Sequence, residues 1–363
     1  MVIFTLCRKP HWRLLLESAI EILALKRILL IRLTALGDVV LVEPVARALK
    51  QWYPGASVDL VTEVQSGAVL AYAKSFDRVI TYNRNGSEAG WSGIGKVAAK
   101  LGQEPYDLVV DLQGKLRTRI LARKVKSRRR LRLKKRGFWG GLLSLFGLEK
   151  PLQGTHAVDI YLRTFAALGH EANEIMRPQL RLPPAQDKKS VLNIGLSAGT
   201  THATKQWSAE KFAQLAHALE SHNSNIKFTL FGGPKERELL EDIRQRYDGT
   251  SMNDADMTKL SVEEMTKWIA SMDLFIGVDS GPTHLAAAHE IPVVAIFGPT
   301  ASSRWGPRGG NQEIVSLNLD CSPCSNTGGA SCPSRTRDHD CMKNLSSDLV
   351  THAALRVLEA EAK

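Results

Sequence analysis

The stretch Leu274–Thr300, LFIGVDSGPTHLAAAHEIPVVAIFGPT, joins two apolar runs through a polar turn and a short helix. The first run, Leu274–Val278, stops at Asp279-Ser280-Gly281-Pro282. A helix begins near Thr283 with His284 in its first turn, and the second run, Pro292–Phe297, stops at Gly298-Pro299. A buried strand that ends in a glycine turn and opens a helix aims free backbone N–H groups at one point, which suits an anion such as a diphosphate. An ordinary βαβ turn has the same outline. The crowding of Asp, Ser, Gly and His onto one strand end favours a site over a plain turn.

The same alternation recurs on both sides of this stretch. Lys26–Leu33 reads as the first buried strand, Thr34–Asp38 as a loop and Val39–Trp52 as a helix closed by Tyr53-Pro54-Gly55. Ser57–Glu63, Arg78–Tyr82 and Tyr106–Gln113 read as further strands, the last followed by a helix through Arg123, and His156–Gly169 reads as another helix. Arg181–Asp187 is a polar, proline-containing linker. Beyond it, Val191–Leu196 is a strand running into Ser197–Thr201 and Lys205-Gln206-Trp207, with Ser208 as the N-cap of the next helix. Ile226–Phe231 ends at Gly232-Gly233-Pro234 and leads through Glu236 into a helix to Tyr247; Val262–Ala270 and about Ser346–Ala362 are also helical. Strands that are apolar throughout and alternate with helices imply parallel sheets covered on both faces. Ligands of such sheets bind at the carboxyl ends of the strands, where Asp38 and Gln113 sit. The expected organisation is α/β: an N-terminal helical extension over 1–25, a first domain over 26–183, a second over 187–345 and a C-terminal helix over 346–363.

Composition narrows the function classes. At 363 residues, 44% apolar and 23% charged, the chain has material for two ordinary globular cores. It has no apolar run of about 18 residues and no evident secretory signal, so a cytoplasmic location is expected. Residues 1–185 hold 30 Lys and Arg against 15 Asp and Glu, whereas the rest hold 18 against 22, out of a net +11. A basic half points to a polyanionic partner. No nucleic-acid motif accompanies the charge, so nucleic acid is not expected. The basic run Lys115–Arg136 and the apolar Gly137–Gly147 after it read either as a solvated face or as a mobile loop gripping an anionic, partly lipidic acceptor. The amphipathic segment 11–25 either packs on the domain or touches a membrane surface.

Cys321, Cys324, Cys332 and Cys341 have the spacing C-x2-C-x7-C-x8-C. Four thiolates make a tetrahedral structural zinc site, and the first gap has the usual length. The alternative is four reduced, buried thiols. A catalytic metal is not expected.

In combination, LTALGDVV (Leu33–Val40), DLQ (Asp111–Gln113), KQW (Lys205–Trp207), FGG (Phe231–Gly233), VDSGPTHLAAA (Val278–Ala288) and FGPT (Phe297–Thr300) resemble the ADP-heptose:lipopolysaccharide heptosyltransferases, glycosyltransferase family nine. The cysteine-containing pieces near the C-terminus also occur in many members. The resemblance runs from about Lys26 to the end and implies the GT-B architecture: two Rossmann-like domains, acceptor on the first and nucleotide-sugar on the second. It implies an inverting transfer with Asp38 as the base. Thr200, Thr201, Lys205, Glu236, Asp279, Ser280, Gly281 and His284 would hold the donor, with Lys205 and the helix dipole stabilising the leaving diphosphate without Mg²⁺. Gln113, Arg117, Arg119 and Arg123 would meet the acceptor. The implied partners are ADP-heptose, an anionic lipid A-core acceptor and, peripherally, the inner face of the inner membrane of a Gram-negative type bacterium. The alternatives are a related transferase with another nucleotide-sugar or glycan, or a non-enzymatic module binding nucleic acid or membrane through the basic segment.

Overall fold

The computed structural model describes residues 25–133, 154–180 and 191–362, apart from positions 71, 103, 172, 173, 254, 335 and 336. The expected helix over 11–25 (Leu25 excepted), the Lys134–Arg136 end of the basic run, the apolar Gly137–Gly147 stretch and the Arg181–Asp187 linker lie outside those residues. Among the described residues no helix is long and apolar enough to cross a membrane.

The first unit is a five-stranded parallel sheet of β1 (Arg27–Ile31), β2 (Ser57–Glu63), β3 (Arg78–Tyr82), β4 (Tyr106–Asp111) and β5 (Ser127–Arg132), in the order β3-β2-β1-β4-β5. Its crossovers carry α1 (Leu36–Val40), α2 (Glu43–Trp52), α3 (Val64–Leu70), α4 (Ser92–Lys100) and α5 (Leu116–Lys124), and α6 (Ala157–Leu162) follows. β1 and β4 are buried along nearly their whole length because helices cover both faces of the central strands. The single long helix expected from Val39 is instead two. α1 opens before Asp38, and α2 starts afresh at Glu43 with Pro44 in its first turn, where a missing N–H costs nothing. Arg128–Arg130 is not a loop. It lies in β5, an edge strand whose side chains alternate between half-buried and exposed, as a charged edge should.

The second unit repeats the plan with β6 (Leu192–Ser197), β7 (Ile226–Phe231), β8 (Leu274–Val278), β9 (Val293–Ile296) and β10 (Gln312–Val315), all parallel in the order β10-β9-β8-β6-β7. Its helices are α7 (Ala209–His222), α8 (Arg237–Arg246), α9 (Val262–Ile269), α10 (Gly281–Ala288), α11 (Ser302–Trp305), α12 (Asp340–Lys343) and α13 (Ser347–Glu361). Ser208 caps α7 through Lys211 N, as the sequence suggests. α13 is no appendage: it lays Val350, Ala353, Ala354 and Val357 into the second core, against α7, β9 and β10.

The strand order reverses direction between β1 and β4 in one sheet and between β6 and β8 in the other. Crevices open at the carboxyl ends of such switch points. The two units meet there, α10 packing on α1 and α9 on α3, so one apolar cluster runs from the first sheet into the second.

Candidate functional site

On the second unit, β8 ends at Val278 and the chain turns at once into α10. Asp279 is buried, and its Oδ2 accepts from Lys205 Nζ at 2.7 Å and from Thr300 Oγ1 at 2.6 Å. Thr300 follows β9, the strand beside β8, so the neighbouring strand end secures the turn. Thr283 Oγ1 donates to Val278 O at 2.7 Å, which locks the first turn of α10 onto the strand it leaves. A side chain on Gly277 would strike Thr283 Oγ1 at 2.8 Å and Ser197 at 2.9 Å, so the turn needs glycine there. Ser280 occupies the N-cap position without a side-chain cap, its Oγ 3.5 Å from Thr283 Oγ1. The helix begins at Gly281, two residues before the start read from the sequence.

His284 is buried on that first turn, and its Nδ1 has no hydrogen-bond partner among the described residues. Burial holds its pKa below the ordinary imidazole value. Asp279 and Asp38 push it back up and Lys205 pushes it down, so all three act on the ring. An orphaned buried nitrogen is costly unless something satisfies it.

The loop after β6 supplies the other wall. Thr200 Oγ1 accepts from His202 N at 3.4 Å, Thr201 is exposed, and a single 3-10 turn, Ala203–Lys205, presents Lys205 to Asp279. Thr204 Oγ1 bonds to Gly329 O and N at 3.1 and 2.9 Å. A Cβ on Gly328 would lie 2.9 Å from Lys205 Cε, so the segment that carries the cysteines walls the lysine. Glu236 borders the same loop: its Oε2 accepts from Gly233 N at 2.8 Å, and a Cβ on Gly199 would sit 3.1 Å from its Cγ. Trp207 of the KQW motif is a core residue, fully buried with Nε1 donating to Leu345 O at 2.9 Å.

Across from these, Asp38 is the third residue of α1. Its Oδ2 forms an ion pair with Arg32 and accepts from Ala35 N at 3.3 Å, while Tyr161 Oη donates to its Oδ1 at 3.4 Å. Asp38 therefore does cap its helix, but only one of its oxygens is used for that. Arg32 is buried at the end of β1, with Nη1 donating to Leu112 O at 2.9 Å and Cζ 5.4 Å above the Tyr161 ring. Burial works against the guanidinium charge, but Tyr161 and Asp38 outweigh it and hold its pKa above the ordinary value. A Cβ on Gly37 would meet His284 Cδ2 at 2.8 Å, and one on Gly281 would meet Leu36 at 3.1 Å. Two glycines, one from each unit, thus bring the Asp38 helix onto the N-terminus of α10.

The residues expected at the acceptor lie on α5 and just after β4. Gln113 is buried with both polar atoms engaged, Oε1 accepting from Leu33 N at 2.8 Å and Nε2 donating to Thr34 Oγ1 at 3.0 Å. It shapes the loop that leads to Asp38, and both ends of its amide are spent on that. Arg117 bonds to the Tyr82 hydroxyl and to Gly90 O, its Cζ 5.2 Å from the Trp91 ring. Arg119 and Arg123 are exposed on α5.

The four cysteines lie within electrostatic range of one another. Cys321, Cys324, Cys332 and Cys341 are free thiols. Burial and then the neighbouring thiols raise Cys324 and Cys341, the latter to about 11. Cys332 donates to Arg337 O at 2.9 Å, and Arg337 Nη1 lies 3.8 Å from Cys321 Sγ. Among the described residues no three His, Cys, Asp or Glu side chains are arranged to hold a metal. The thiols are close enough to discourage one another's ionisation.

Arg32, Tyr161 and Arg304 are not marked out by sequence motifs, and Thr300 is marked only as the end of FGPT. Arg32 does carry a signal, since a lone cation inside an apolar strand must find a partner. Tyr161 reaches Asp38 over 123 residues, and Arg304, on α11, acts on the Tyr161 phenol from the second unit. Only the fold brings these together.

Comparison with known proteins identifies the family. The chain is 27% identical over 313 residues to lipopolysaccharide heptosyltransferase 1 of Pseudomonas aeruginosa, spanning 82% of this chain and 86% of that one. It is 24% identical over 302 residues, 80% and 84%, to the lipopolysaccharide core heptosyltransferase OpsX of Haemophilus influenzae. In three dimensions it resembles a family 9 glycosyl transferase from Veillonella parvula (TM-score 0.74, 20% identity, 92% and 98% covered). It also resembles the E. coli ADP-heptose lps heptosyltransferase II (0.69, 18%, 93% and 100%), and the shared fold is GT-B. The family model for glycosyltransferase family 9 (heptosyltransferase) matches residues 94–331, which include the Lys205 loop, the Asp279 turn and α10, so the chain belongs to glycosyltransferase family 9.

Proposed function

We propose that the protein is an inverting glycosyltransferase. It moves a heptose from ADP-L-glycero-D-manno-heptose to the inner core of lipopolysaccharide, a Kdo-lipid A type acceptor. Residues 187–345 take the donor and residues 26–183 the acceptor. The observation that carries this reading is the meeting of two unlike groups across one gap. The Asp38 carboxylate comes from the first unit, and the Lys205–Asp279 pair beside the N-terminus of α10 comes from the second, with Gly37 packed on His284 between them. The activities named for the relatives support the heptose and the core acceptor.

The chemistry follows from charge. The acceptor hydroxyl attacks the anomeric carbon on the face opposite the diphosphate, the carbon–oxygen bond to ADP breaks, and the hydroxyl proton passes to Asp38. A carboxylate is compact and ionised at neutral pH, which suits this transfer. The departing diphosphate gains negative charge. The backbone N–H groups of Gly281, Thr283 and His284, the Lys205 ammonium and the His284 Nδ1 answer that charge in an enclosed site. Lys205 already leans on Asp279, so the diphosphate completes a partly neutralised cation and does not meet a bare one. These groups fill the role a catalytic metal has in other transferases. Ser280, Thr200 and Thr201 would bind the same diphosphate, and Glu236 would reach the nucleoside. A membrane-anchored, phosphorylated acceptor matches the basic first half and goes with a peripheral position at the cytoplasmic face of the inner membrane.

The test is Asp38→Asn, assayed by mass for heptose transfer from ADP-heptose to a truncated core acceptor, with ADP-heptose binding measured separately. Transfer should fall by about 10²–10⁴-fold with donor affinity retained. Near-wild-type transfer would remove Asp38 as the base. A donor screen in which ADP-heptose is inert and another nucleotide-sugar is consumed would overturn the substrate.

A further inference from the structure

We infer that Tyr161 is a positioning residue for Asp38 and that α6, which carries it, couples the second unit to the base. This rests on reading Asp38 as the base. A carboxylate offers about four lone-pair sites, two on each oxygen. Both sites on Oδ2 are taken, by Arg32 and by Ala35 N. On Oδ1 the Tyr161 hydroxyl donates at 3.4 Å. The other site on Oδ1 receives the acceptor's proton, and the Tyr161 hydroxyl decides where that site points.

Tyr161 has little freedom of its own. Its ring is buried under the Arg32 guanidinium, and burial raises its phenol pKa, so it stays a donor. What moves it is α6, and α6 with the segment after it is tied to the second unit by hydrogen bonds and an ion pair. His156, the N-cap of α6, accepts from Val158 N on Nδ1 at 3.2 Å, so Nε2 carries the proton and donates to Gly306 O at 2.9 Å. Asp159 is gripped by both Nη atoms of Arg308, at 2.8 and 2.7 Å, a two-pronged, half-buried ion pair of the strong kind. Leu180 N donates to Ala288 O at 2.7 Å. That bond joins the segment after α6 directly to α10, the helix whose N-terminus faces Asp38.

The two holders of the carboxylate are therefore tied differently, although α6 also packs on α2 of the first unit. Arg32 is fixed to the first sheet through Leu112 O, whereas Tyr161 follows Gly306, Arg308 and α10 of the second unit. A shift of the second unit that moves α6 would swing the whole carboxylate about its Cβ–Cγ bond, changing where the free site on Oδ1 points. The 3.4 Å contact is longer than a relaxed hydroxyl–carboxylate bond, which leaves it room to tighten as the units close on both substrates. The base is aimed only when the donor side is seated.

Tyr161→Phe keeps the ring on Arg32 and removes only the hydroxyl. Arg308→Lys keeps the charge and removes the two-pronged grip. In the transfer assay each should lower kcat by about 10-fold, with the KM for ADP-heptose within about two-fold of wild type. The double variant should be no slower than the slower single, because both act through one connection. A merely structural role would lower the melting temperature and leave kcat alone. Wild-type kcat in Tyr161→Phe, or losses that multiply in the double variant, would overturn the coupling. The Asp38→Asn assay keeps the two ideas apart. An active Asp38→Asn variant removes the base reading, whereas an inactive one beside a fully active Tyr161→Phe removes the coupling alone.

Discussion

Asp38 is legible from its place after Gly37 at the mouth of the first strand, but the groups that hold it are not. Arg32 looks like one charge among many, and Tyr161 like one aromatic on an amphipathic helix. Their meaning depends on distance in space, which neither periodicity nor spacing records. His156 makes the same point and carries a prediction. Burial comes first among the causes that bring its pKa from 6.5 to about 4, and the nearby Arg308 and His284 add to it, against the bond to Gly306 O. The unfolded chain then takes up a proton below pH 6.5 that the folded chain refuses until about pH 4. Stability from this site is intact above about pH 6.5 and is lost as pH falls toward about 4, by on the order of 3 kcal/mol. His289, also brought to about 4 by burial, behaves the same way. His156→Asn can still cap α6 through Val158 N but cannot titrate in this window. Denaturant unfolding of both proteins at about pH 7 and about pH 4.5 should show the wild-type advantage at neutral pH shrinking in acid. A constant difference between the two proteins would remove His156 as the cause.

Among the elements, the parallel strands are the most readable part of the chain, because burial on both faces leaves continuous apolar runs. β5 escapes that reading for the converse reason. As an edge strand it tolerates Arg128, Arg130 and Arg132 on its exposed face, and an arginine run looks like a loop. The turn between β8 and α10 reads in sequence as a candidate anion site, but its support from β9 does not. Thr300 reaches Asp279 from the next strand end, 21 residues away, and with Lys205 fixes the carboxylate. Thr300→Val keeps the shape and deletes the hydroxyl. It leaves a buried carboxylate short of one donor, at a cost of roughly 1.5–3 kcal/mol. The turn should loosen, so both the melting temperature and the affinity for ADP-heptose should fall in calorimetry. Unchanged donor affinity would show that Thr300 serves the fold alone.

The two sheets place their switch points face to face, and the charge of the chain is divided in the same way. Residues 1–185 carry the excess of Lys and Arg, and the rest are slightly acidic. Arg119, Arg123, Lys124 and Arg130 are exposed on α5 and β5 of the first unit, whereas Lys205 in the second is largely enclosed and paired with Asp279. Exposed charge acts over roughly a Debye length, about 10 Å at 0.1 M salt, and steers ligands of opposite sign; enclosed charge is screened far less. Added salt should therefore affect the two substrates differently. Between about 0.05 and 0.5 M NaCl, kcat/KM for a phosphorylated core acceptor should fall by at least about 5-fold, through slower capture. The KM for ADP-heptose should change by less than about two-fold, since the groups proposed to hold its diphosphate are enclosed. An acceptor lacking phosphates should lose most of the salt effect, which separates steering from general weakening of the protein. If both substrates weakened in parallel, the basic half would be serving solubility or some other partner, and the acceptor would have to be recognised by uncharged contacts near Asp38.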